Sequence, residues 1–482
     1  MPPRRTSGSR NPVRLAGSDD SDEPNVFPRA EDRLPGRRRG RCSSAGAADS
    51  GVTGDSRART RRSRTRSFSN RSARSTVRAR GRGWLTRRRR YGRRPASPPT
   101  RGTAGRRVHS AGIQRSSRKQ WVNDSVKSVR HLPGSTTRQG VPLDGNATTT
   151  HRNVALLSVA TTMAPRVTTS DEIDARLAPA LKRLRLPTGL LQRVAGVYER
   201  RNWDSEQDFD GAAIEAGRRA LAEAGIRPDQ IGLIINTSVT RKHLEPSVAV
   251  RLHHGLGLPS SAINFDIANA CLGFVNGMTL AAQLIDAGQI KYAMIIDGED
   301  ADEIQVNTIE RLKREGMSRT DFMSEFASLT LGSGAAAAIL GPADAHPQGH
   351  RLLGGITRAA TQFNELCVGS VDGMFTDAKA LLKGGMELVV SAWKEAKRDW
   401  NWGKMDRYIT HQVSSVHTNG LVKAVGLDKT RVPTTFGTLG NVGPASIPIT
   451  LAQEAPTLKQ GDRVLLMGVG SGINTAMLEI AW

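Results

Sequence analysis

Cys271 is the residue of this sequence best placed for covalent chemistry. It stands where a short apolar run, 262–267, gives way to a helix predicted over 270–287, which has almost no polar side chains and should be buried. The free backbone N–H groups and the dipole at the start of a helix favour a thiolate, the strong nucleophile, over a thiol. The sequence therefore predicts an ionised cysteine nucleophile, although an unreactive buried cysteine fits the same pattern.

Three other segments carry polar groups or glycines at the ends of predicted strands. His411 ends a strand, Asn441 lies in a Gly-Asn-Val-Gly-Pro turn, and the run 468–472 is rich in glycine. Taken singly, His411 fits a hydrogen-bonded structural histidine, and Asn441 fits a residue that shapes its turn. The glycine run lacks a Lys-Ser/Thr ending and a following helix, so it indicates a tight turn near a substrate rather than a nucleotide loop.

The net charge of +25 belongs to the N-terminal segment. Residues 1–150 hold 36 Arg and Lys against 10 Asp and Glu, whereas the other 332 residues hold 34 against 35. The segment is rich in Arg, Ser, Gly and Pro and has no apolar periodicity. We expect residues 1–152 to be a disordered tail, because they cannot bury enough apolar surface to offset the entropy of ordering.

Three interpretations fit this basic tail. Its arginines suit an arm that binds nucleic acid or another anionic surface. Its Arg- and Ser-rich composition suits a transit peptide, although the acidic residues between 19 and 23 do not. The third interpretation, which we favour, is upstream sequence read in frame with a later true start; no Met lies between Met1 and Met163.

The body of the chain alternates apolar runs, short Gly and Pro turns and Ala-rich stretches. Helices are predicted over 210–224, 270–287, 416–425 and 445–455, and strands over 231–235, 262–267, 292–296, 329–340, 463–467 and 475–480. This alternation predicts an α/β fold with a largely parallel sheet, in two similar halves at 153–343 and 344–482. The charged segment 302–326 fits either a lid or a plain surface insertion.

The cysteine count and the hydropathy disfavour a disulfide-rich secreted protein, a metal site and a membrane protein. Three cysteines, Cys42, Cys271 and Cys367, are too few for a disulfide framework and fit a reducing cytoplasm. No Cys and His grouping has metal-ligand spacing, so we expect no metal. No apolar stretch has the length of a signal peptide or a membrane span.

As a set, these residues resemble the thiolase-fold condensing enzymes of the ketoacyl-ACP synthase III type. The likeness is carried by 270–273, His411-Gln412, Gly440-Asn441, 445–448 and 468–472, and it covers essentially all of 153–482. Such enzymes use a Cys-His-Asn triad in this chain order. The resemblance implies a thiolase-like α/β fold with duplicated βαβαβ halves in α-β-α-β-α layers, catalytic roles for Cys271, His411 and Asn441, and CoA thioesters as substrates without a cofactor.

The nearest likeness is to the olefin-biosynthesis branch, the OleA-type enzymes that join two fatty acyl-CoA molecules head to head. The matching stretches are 236–239, 244–249, 269–272, 440–446 and 468–474. Glu245 distinguishes the branches. Synthase III proteins usually have an apolar residue before the Pro-Ser pair, whereas the olefin branch has a glutamate that reaches the partner subunit's active site as a base. The alternative for Glu245 is an ordinary exposed loop carboxylate.

The implied chemistry is a Claisen condensation. Cys271 would hold the first acyl group as a thioester. An unactivated acyl-CoA must then lose an α-proton, which requires a base such as Glu245, whereas a malonyl donor loses CO2 instead. His411 and Asn441 would stabilise the enolate oxygen. The backbone N–H groups of Cys271 and Ser471 would bind the oxyanion, and the product would be a 2-alkyl-3-ketoacyl species.

The resemblance also implies a homodimer, and lipid- or olefin-pathway enzymes that take the product. Two other functions stay open at this point. One is a synthase III that extends an acyl-CoA with malonyl-acyl carrier protein. The other is a nucleic-acid-binding protein that acts through the basic tail, which an intact Cys-His-Asn-Glu set disfavours.

Overall fold

The protein is described here by a computed structural model that covers residues 148–204, 208–370 and 372–482. Residues 1–147 of the predicted tail, with Cys42, lie outside the described residues. The strands are β1 Thr148–Thr150, β2 Ala155–Met163, β3 Arg166–Thr169, β4 Glu199–Asn202, β5 Ile231–Asn236, β6 Ile263–Asp266, β7 Tyr292–Glu299, β8 Gly334–Gly341, β9 His350–Ala359, β10 Cys367–Gly369, β11 Met374–Thr376, β12 Arg407–Thr410, β13 Arg463–Gly470 and β14 Asn474–Ala481. The α-helices are α1 Ser170–Leu184, α2 Phe209–Ala224, α3 Val248–Gly255, α4 Gly273–Asp286, α5 Asp302–Leu312, α6 Arg319–Glu325, α7 Ala378–Ala396, α8 Ser415–Val425, α9 Phe436–Leu439 and α10 Ser446–Glu454.

Most of these strands form one sheet with the order β12-β13-β14-β9-β2-β8-β7-β5-β6, and β1 pairs with β9. Within the described residues, β5–β6, β5–β7 and β12–β13 are the parallel pairs, and the other pairs are antiparallel. The expected α/β class is confirmed, but the expectation of a largely parallel sheet is wrong. Short connections such as the turn between β13 and β14 can join only antiparallel neighbours.

Helices cover both faces of the sheet and also fill its centre. β2 and β9 share only a short pairing, which divides the sheet into two parts. Helix α4 contacts β5, β7 and β8 of one part and β14 of the other, and α10 likewise contacts strands of both. Helix α2 packs outside one part and α7 outside the other. The small side chains of α4 permit this central position: a Cβ at Gly277 would lie 3.2 Å from Ile295 Cγ2.

The charged segment 302–326 folds into α5 and α6. Their apolar side chains Ile309, Leu312 and Phe322 are buried in one cluster with Ile173 and Leu177 of α1. The segment is therefore a packed helical layer beside the main sheet, with its charged residues on the outer face.

Two boundaries differ from the expectations. Residues 148–150, which lie inside the segment 1–152 expected to be disordered, form the strand β1, which hydrogen-bonds to β9. The strand expected over 329–340 begins only at Gly334, since residues 326–330 form a 3-10 helix. Gly332 then passes so close to the end of α9 that a Cβ there would lie 1.9 Å from Leu439 O. A continuous strand would not permit that approach.

Candidate active site

Cys271 lies in a tight turn between β6 and α4. The Leu272 N–H donates to Asn269 O at 3.0 Å, and the Gly273 N–H donates to Ala270 O at 3.2 Å. Ala270 has a positive φ of 44°, a left-handed conformation that costs energy for a residue with a side chain. Such strain persists where the surroundings fix the backbone, and it is concentrated at functional sites.

The glycine run 468–472, whose first three residues end β13, packs directly against this cysteine turn. A Cβ at Gly468 would lie 2.3 Å from Leu272 Cδ2, and a Cβ at Gly470 would lie 3.3 Å from Asn269 O. The Asn474 amide also donates to Asn269 Oδ1 at 3.3 Å. Ser471, which is half-buried, follows Gly470, so its backbone lies in the same neighbourhood as Cys271.

Cys271 is half-buried as a whole residue. Burial of its thiol, together with the neighbouring Cys367, Glu299 and Asp297, raises the pKa of the thiol from its ordinary 9.0 to about 12. The expectation that Cys271 is ionised is therefore wrong. The helix begins at Gly273 rather than at 270, and desolvation with nearby acidic groups outweighs its dipole.

His411 lies at the end of β12, beside β13. Its backbone N–H donates to Met467 O at 2.8 Å, one residue before the glycine turn begins. Burial, together with the nearby His417, lowers the pKa of the imidazole to about 3, so the ring is neutral at pH 7. Its Nδ1 is buried and has no hydrogen-bond partner among the described residues.

Asn441 is held by its own turn in an orientation that frees its amide group. Its backbone N–H donates to Thr330 O at 2.9 Å, and it forms a bridge with Leu331. The side-chain Oδ1 accepts the Gly443 N–H at 3.1 Å. Because Oδ1 is occupied in this way, the Nδ2 hydrogens are the groups that Asn441 can offer to a substrate.

Indirect contacts join these three segments. Gly443 packs on Glu299, since a Cβ there would lie 3.5 Å from Oε1, and Glu299 is close enough to Cys271 to affect its pKa. His411 follows the strand paired with β13, whose glycines pack on the cysteine turn. The structure therefore gathers the neutral thiol, the neutral imidazole and the oriented amide in one region. This combination suits acyl transfer to sulfur and stabilisation of an oxygen anion.

Known proteins match more than two thirds of this chain. Two family models match, 3-oxoacyl-[acyl-carrier-protein (ACP)] synthase III over residues 265–356 and the C-terminal part of the same synthase over 396–482. An acyl-CoA:acyl-CoA alkyltransferase of Xanthomonas campestris is 43% identical, over 69% of this chain and 99% of that protein. This chain belongs to the acyl-CoA:acyl-CoA alkyltransferase family. A second alkyltransferase, from Shewanella oneidensis, is 34% identical over 69% of this chain and 99% of that protein.

Solved structures support the same assignment. Xanthomonas campestris OleA, as a cysteine-to-serine variant with bound lauric acid and lauroyl-CoA, superposes with a TM-score of 0.67 at 42% identity, over 69% of this chain and 100% of that one. Other solved variants of that protein replace a histidine by asparagine or a glutamate by alanine. The chain is thus a thiolase-like condensing enzyme, and the resemblance seen in the sequence is confirmed.

Glu245 lies apart from the other candidate residues of this alkyltransferase-family chain. It is exposed, on the loop between β5 and α3, and no contact among the described residues joins it to Cys271, His411 or Asn441. Its neighbour Leu244 is 96% exposed. Within one subunit, Glu245 is therefore separate from the region that holds Cys271, His411 and Asn441.

Three titratable side chains at the site were not predicted from the sequence. Asp297 and Glu299 are buried near the end of β7, and burial raises the pKa of both, that of Glu299 to about 7. His417, in the first turn of α8, is enclosed with Nδ1 2.8 Å from Ser414 Oγ, and burial lowers the pKa of its ring to about 4. The available signal was two acids at the end of an otherwise apolar strand, where charge is costly.

Among the residues that the structure describes, no group of three His, Cys, Asp or Glu could hold a metal ion. None of the helices in the described ranges is long and apolar enough to cross a membrane.

Proposed function

We propose that this protein joins two long-chain fatty acyl-CoA molecules head to head, through an acyl group held on Cys271. The observation that carries this proposal is the 43% identity to an acyl-CoA:acyl-CoA alkyltransferase over 99% of that protein. A relative at this identity holds lauric acid and lauroyl-CoA, which supports a fatty acyl substrate. The product is a 2-alkyl-3-ketoacyl thioester.

In the first step, the Cys271 sulfur attacks the acyl-CoA carbonyl and CoA leaves as its thiol. Because the Cys271 pKa is about 12 and the His411 pKa about 3, both groups are neutral at pH 7. The thiol proton therefore leaves as the carbon–sulfur bond forms. The backbone N–H groups of Cys271 and Ser471 bind the oxyanion, at about 3–4 kcal/mol for each such donor.

In the second step, the second acyl-CoA loses an α-proton to a base, and its α-carbon attacks the carbonyl of the acyl group on Cys271. The bond from that carbonyl carbon to the Cys271 sulfur then breaks, and the sulfur takes up a proton to restore the thiol. Glu245 of the partner subunit is the base, since its own chain places it on the surface. His411 Nε2 and Asn441 Nδ2 donate hydrogen bonds to the enolate oxygen. The fixed Asn441 amide, whose Oδ1 accepts the Gly443 N–H, supports this role.

The solved variants of the Xanthomonas relative support this choice of residues. They replace a glutamate, a cysteine and a histidine, in that chain order. The glutamate and the cysteine are twenty-six positions apart in that protein, as are Glu245 and Cys271 here. We therefore assign the same three residue types to the reaction of this chain.

The assembly and surroundings follow from this chemistry. A base supplied in trans requires a homodimer. We place the enzyme in the cytoplasm, where Cys271 and Cys367 stay reduced. The unstable 3-ketoacyl product calls for lipid- or olefin-pathway enzymes that accept it.

The test is to incubate the purified protein with lauroyl-CoA alone and with lauroyl-CoA plus malonyl-acyl carrier protein. We expect CoA release and a branched 3-ketoacyl product from lauroyl-CoA alone. A strict requirement for malonyl-acyl carrier protein, with loss of CO2, would show a synthase III reaction and overturn the proposal.

A further inference from the structure

The loop that carries Glu245 is an arm, residues 239–247, that joins the end of β5 to the start of α3. Its tip is exposed: Leu244 has 96% of its surface accessible, and Glu245 and Pro246 are exposed beside it. A loop with so few packing contacts at its tip gains a fixed direction from attachments elsewhere along it. In its middle, Lys242 pairs with Asp208 at 2.6 Å and with Asp210 at 3.6 Å, and both ends of the arm are also held.

Glu299 holds the first end. Its Oε1 accepts the Val239 N–H at 2.6 Å, and its Oε2 accepts the Thr240 N–H at 3.1 Å and the Thr240 hydroxyl at 2.5 Å. The Thr240 hydroxyl also accepts the Asp300 N–H at 3.0 Å. These three hydrogen bonds join Val239 and Thr240 to one buried side chain, so Glu299 anchors this end of the arm.

Asp266 holds the second end. Its carboxylate accepts the backbone N–H groups of Val248 at 3.0 Å and Ala249 at 2.9 Å. It also pairs with Arg241 at 2.9 Å. Asp266 ends β6, the strand that leads to the cysteine turn, so both attachments of the arm come from strands that border the site.

Glu299 differs from Asp266 because it also faces the active site of its own chain. It is 6% exposed and lies against Gly443 of the Asn441 turn. Among the described residues it forms no ion pair with a Lys or Arg, so the arm's N–H and O–H groups are the donors that stabilise its charge. A buried carboxylate without a cation depends on such donors. Glu299 and the arm therefore stabilise each other.

We propose that Glu299 is a positioning residue that fixes the arm, so that Glu245 reaches the active site of the partner subunit. This role rests on the proposed function, since it requires that Glu245 act in trans. A competing role for Glu299, on the thiol of its own chain, follows from its nearness to Cys271. The two roles make opposite predictions in dimers that contain two different chains.

The experiment uses mixed dimers purified with two affinity tags, assayed with lauroyl-CoA. One chain carries Cys271→Ala with an intact arm, and the other carries Glu299→Gln with an intact cysteine. We expect the Glu299→Gln homodimer to acylate Cys271 normally but to condense about tenfold more slowly or worse, because two charge-assisted bonds are lost. In the mixed dimer, the intact arm serves the intact cysteine, and condensation should return to the level of a Cys271→Ala and wild-type pair.

A second mixed dimer, Cys271→Ala with Glu245→Ala, separates the two possible failures. If it regains activity while the Glu299→Gln pair stays inactive, Glu299 acts on its own site and the positioning role is wrong. If both pairs stay inactive, Glu245 does not act in trans, and the proposed function fails together with the inference.

A milder variant keeps the test valid if Glu299→Gln does not fold. Thr240→Val removes one donor to Glu299 with little change in volume, and it should slow condensation several-fold with the same recovery in mixed dimers. Thr430→Val is the matched control, because the Thr430 N–H and hydroxyl likewise both donate to one carboxylate, that of Asp428, and hold no part of the arm. Equal losses in both variants would contradict the positioning role.

Discussion

Raising the pH should continue to accelerate alkylation of Cys271 above pH 9.0, where the alkylation rate of an ordinary cysteine begins to level off. Burial raises the pKa of this thiol from 9.0 to about 12. Three pKa units correspond to about 4 kcal/mol against the thiolate. At pH 7 the ionised fraction is then on the order of 10⁻⁵, compared with about 10⁻² for an unperturbed thiol.

The assay is the rate of reaction with iodoacetamide between pH 7 and pH 9.5, followed by peptide mass spectrometry. We expect the rate at Cys271 to rise about tenfold for each pH unit without a plateau, since the thiolate is the reacting species. N-acetylcysteine in the same buffers supplies the reference curve. The digest also reports Cys367, whose pKa burial raises as well.

A plateau with a midpoint near pH 8 or below would refute this reasoning. It would mean that the start of α4 determines the pKa of the Cys271 thiol and that burial beside Glu299 and Asp297 does not. The reaction would then begin from a preformed thiolate, and the assignment of neutral forms to both Cys271 and His411 would be wrong.

Three further outcomes are expected. His411→Asn should weaken acid destabilisation: the folded pKa of about 3 lies below the ordinary 6.5, so this one residue contributes a loss of about 1.4 kcal/mol in the free energy of unfolding per pH unit as pH falls from 6.5 toward 3. Urea unfolding at pH 5 to 7 measures this, and an unchanged slope would contradict it. Gly468→Ala should lower the free energy of unfolding by about 1–3 kcal/mol, because its Cβ would meet Leu272. Gly403→Ala, which has open space around it, should leave the stability nearly unchanged. Equal melting temperatures for the two variants would contradict the close packing at Gly468. Glu245→Gln should abolish condensation yet leave acylation of Cys271 intact, and continued condensation would exclude Glu245 as the base.

Sequence patterns predicted the regular elements well where apolar residues recur at one period. The helix expected over 210–224 is α2, Phe209–Ala224, and the strand expected over 292–296 is the core of β7. The strand expected over 329–340 was too long, because apolar residues near Leu329 belong to a 3-10 helix. A short apolar run does not by itself distinguish these two conformations.

The site was predictable as a set of residue types but not as an electrostatic environment. The family likeness identified Cys271, His411 and Asn441, and the family is confirmed by full-length relatives. The state of the thiol depends on Glu299 and Asp297, which come from another strand and are brought near only by the fold. A prediction from the local helix start could not include them.

Intact-protein mass spectrometry during turnover tests the central claim most directly. With lauroyl-CoA carrying ¹³C at its carbonyl, we expect one acyl group on Cys271, located by peptide, that disappears as product forms with both labelled carbons in one molecule. An acyl group found only on Cys367, or a product with a single labelled carbon, would contradict condensation of two acyl-CoA molecules through Cys271.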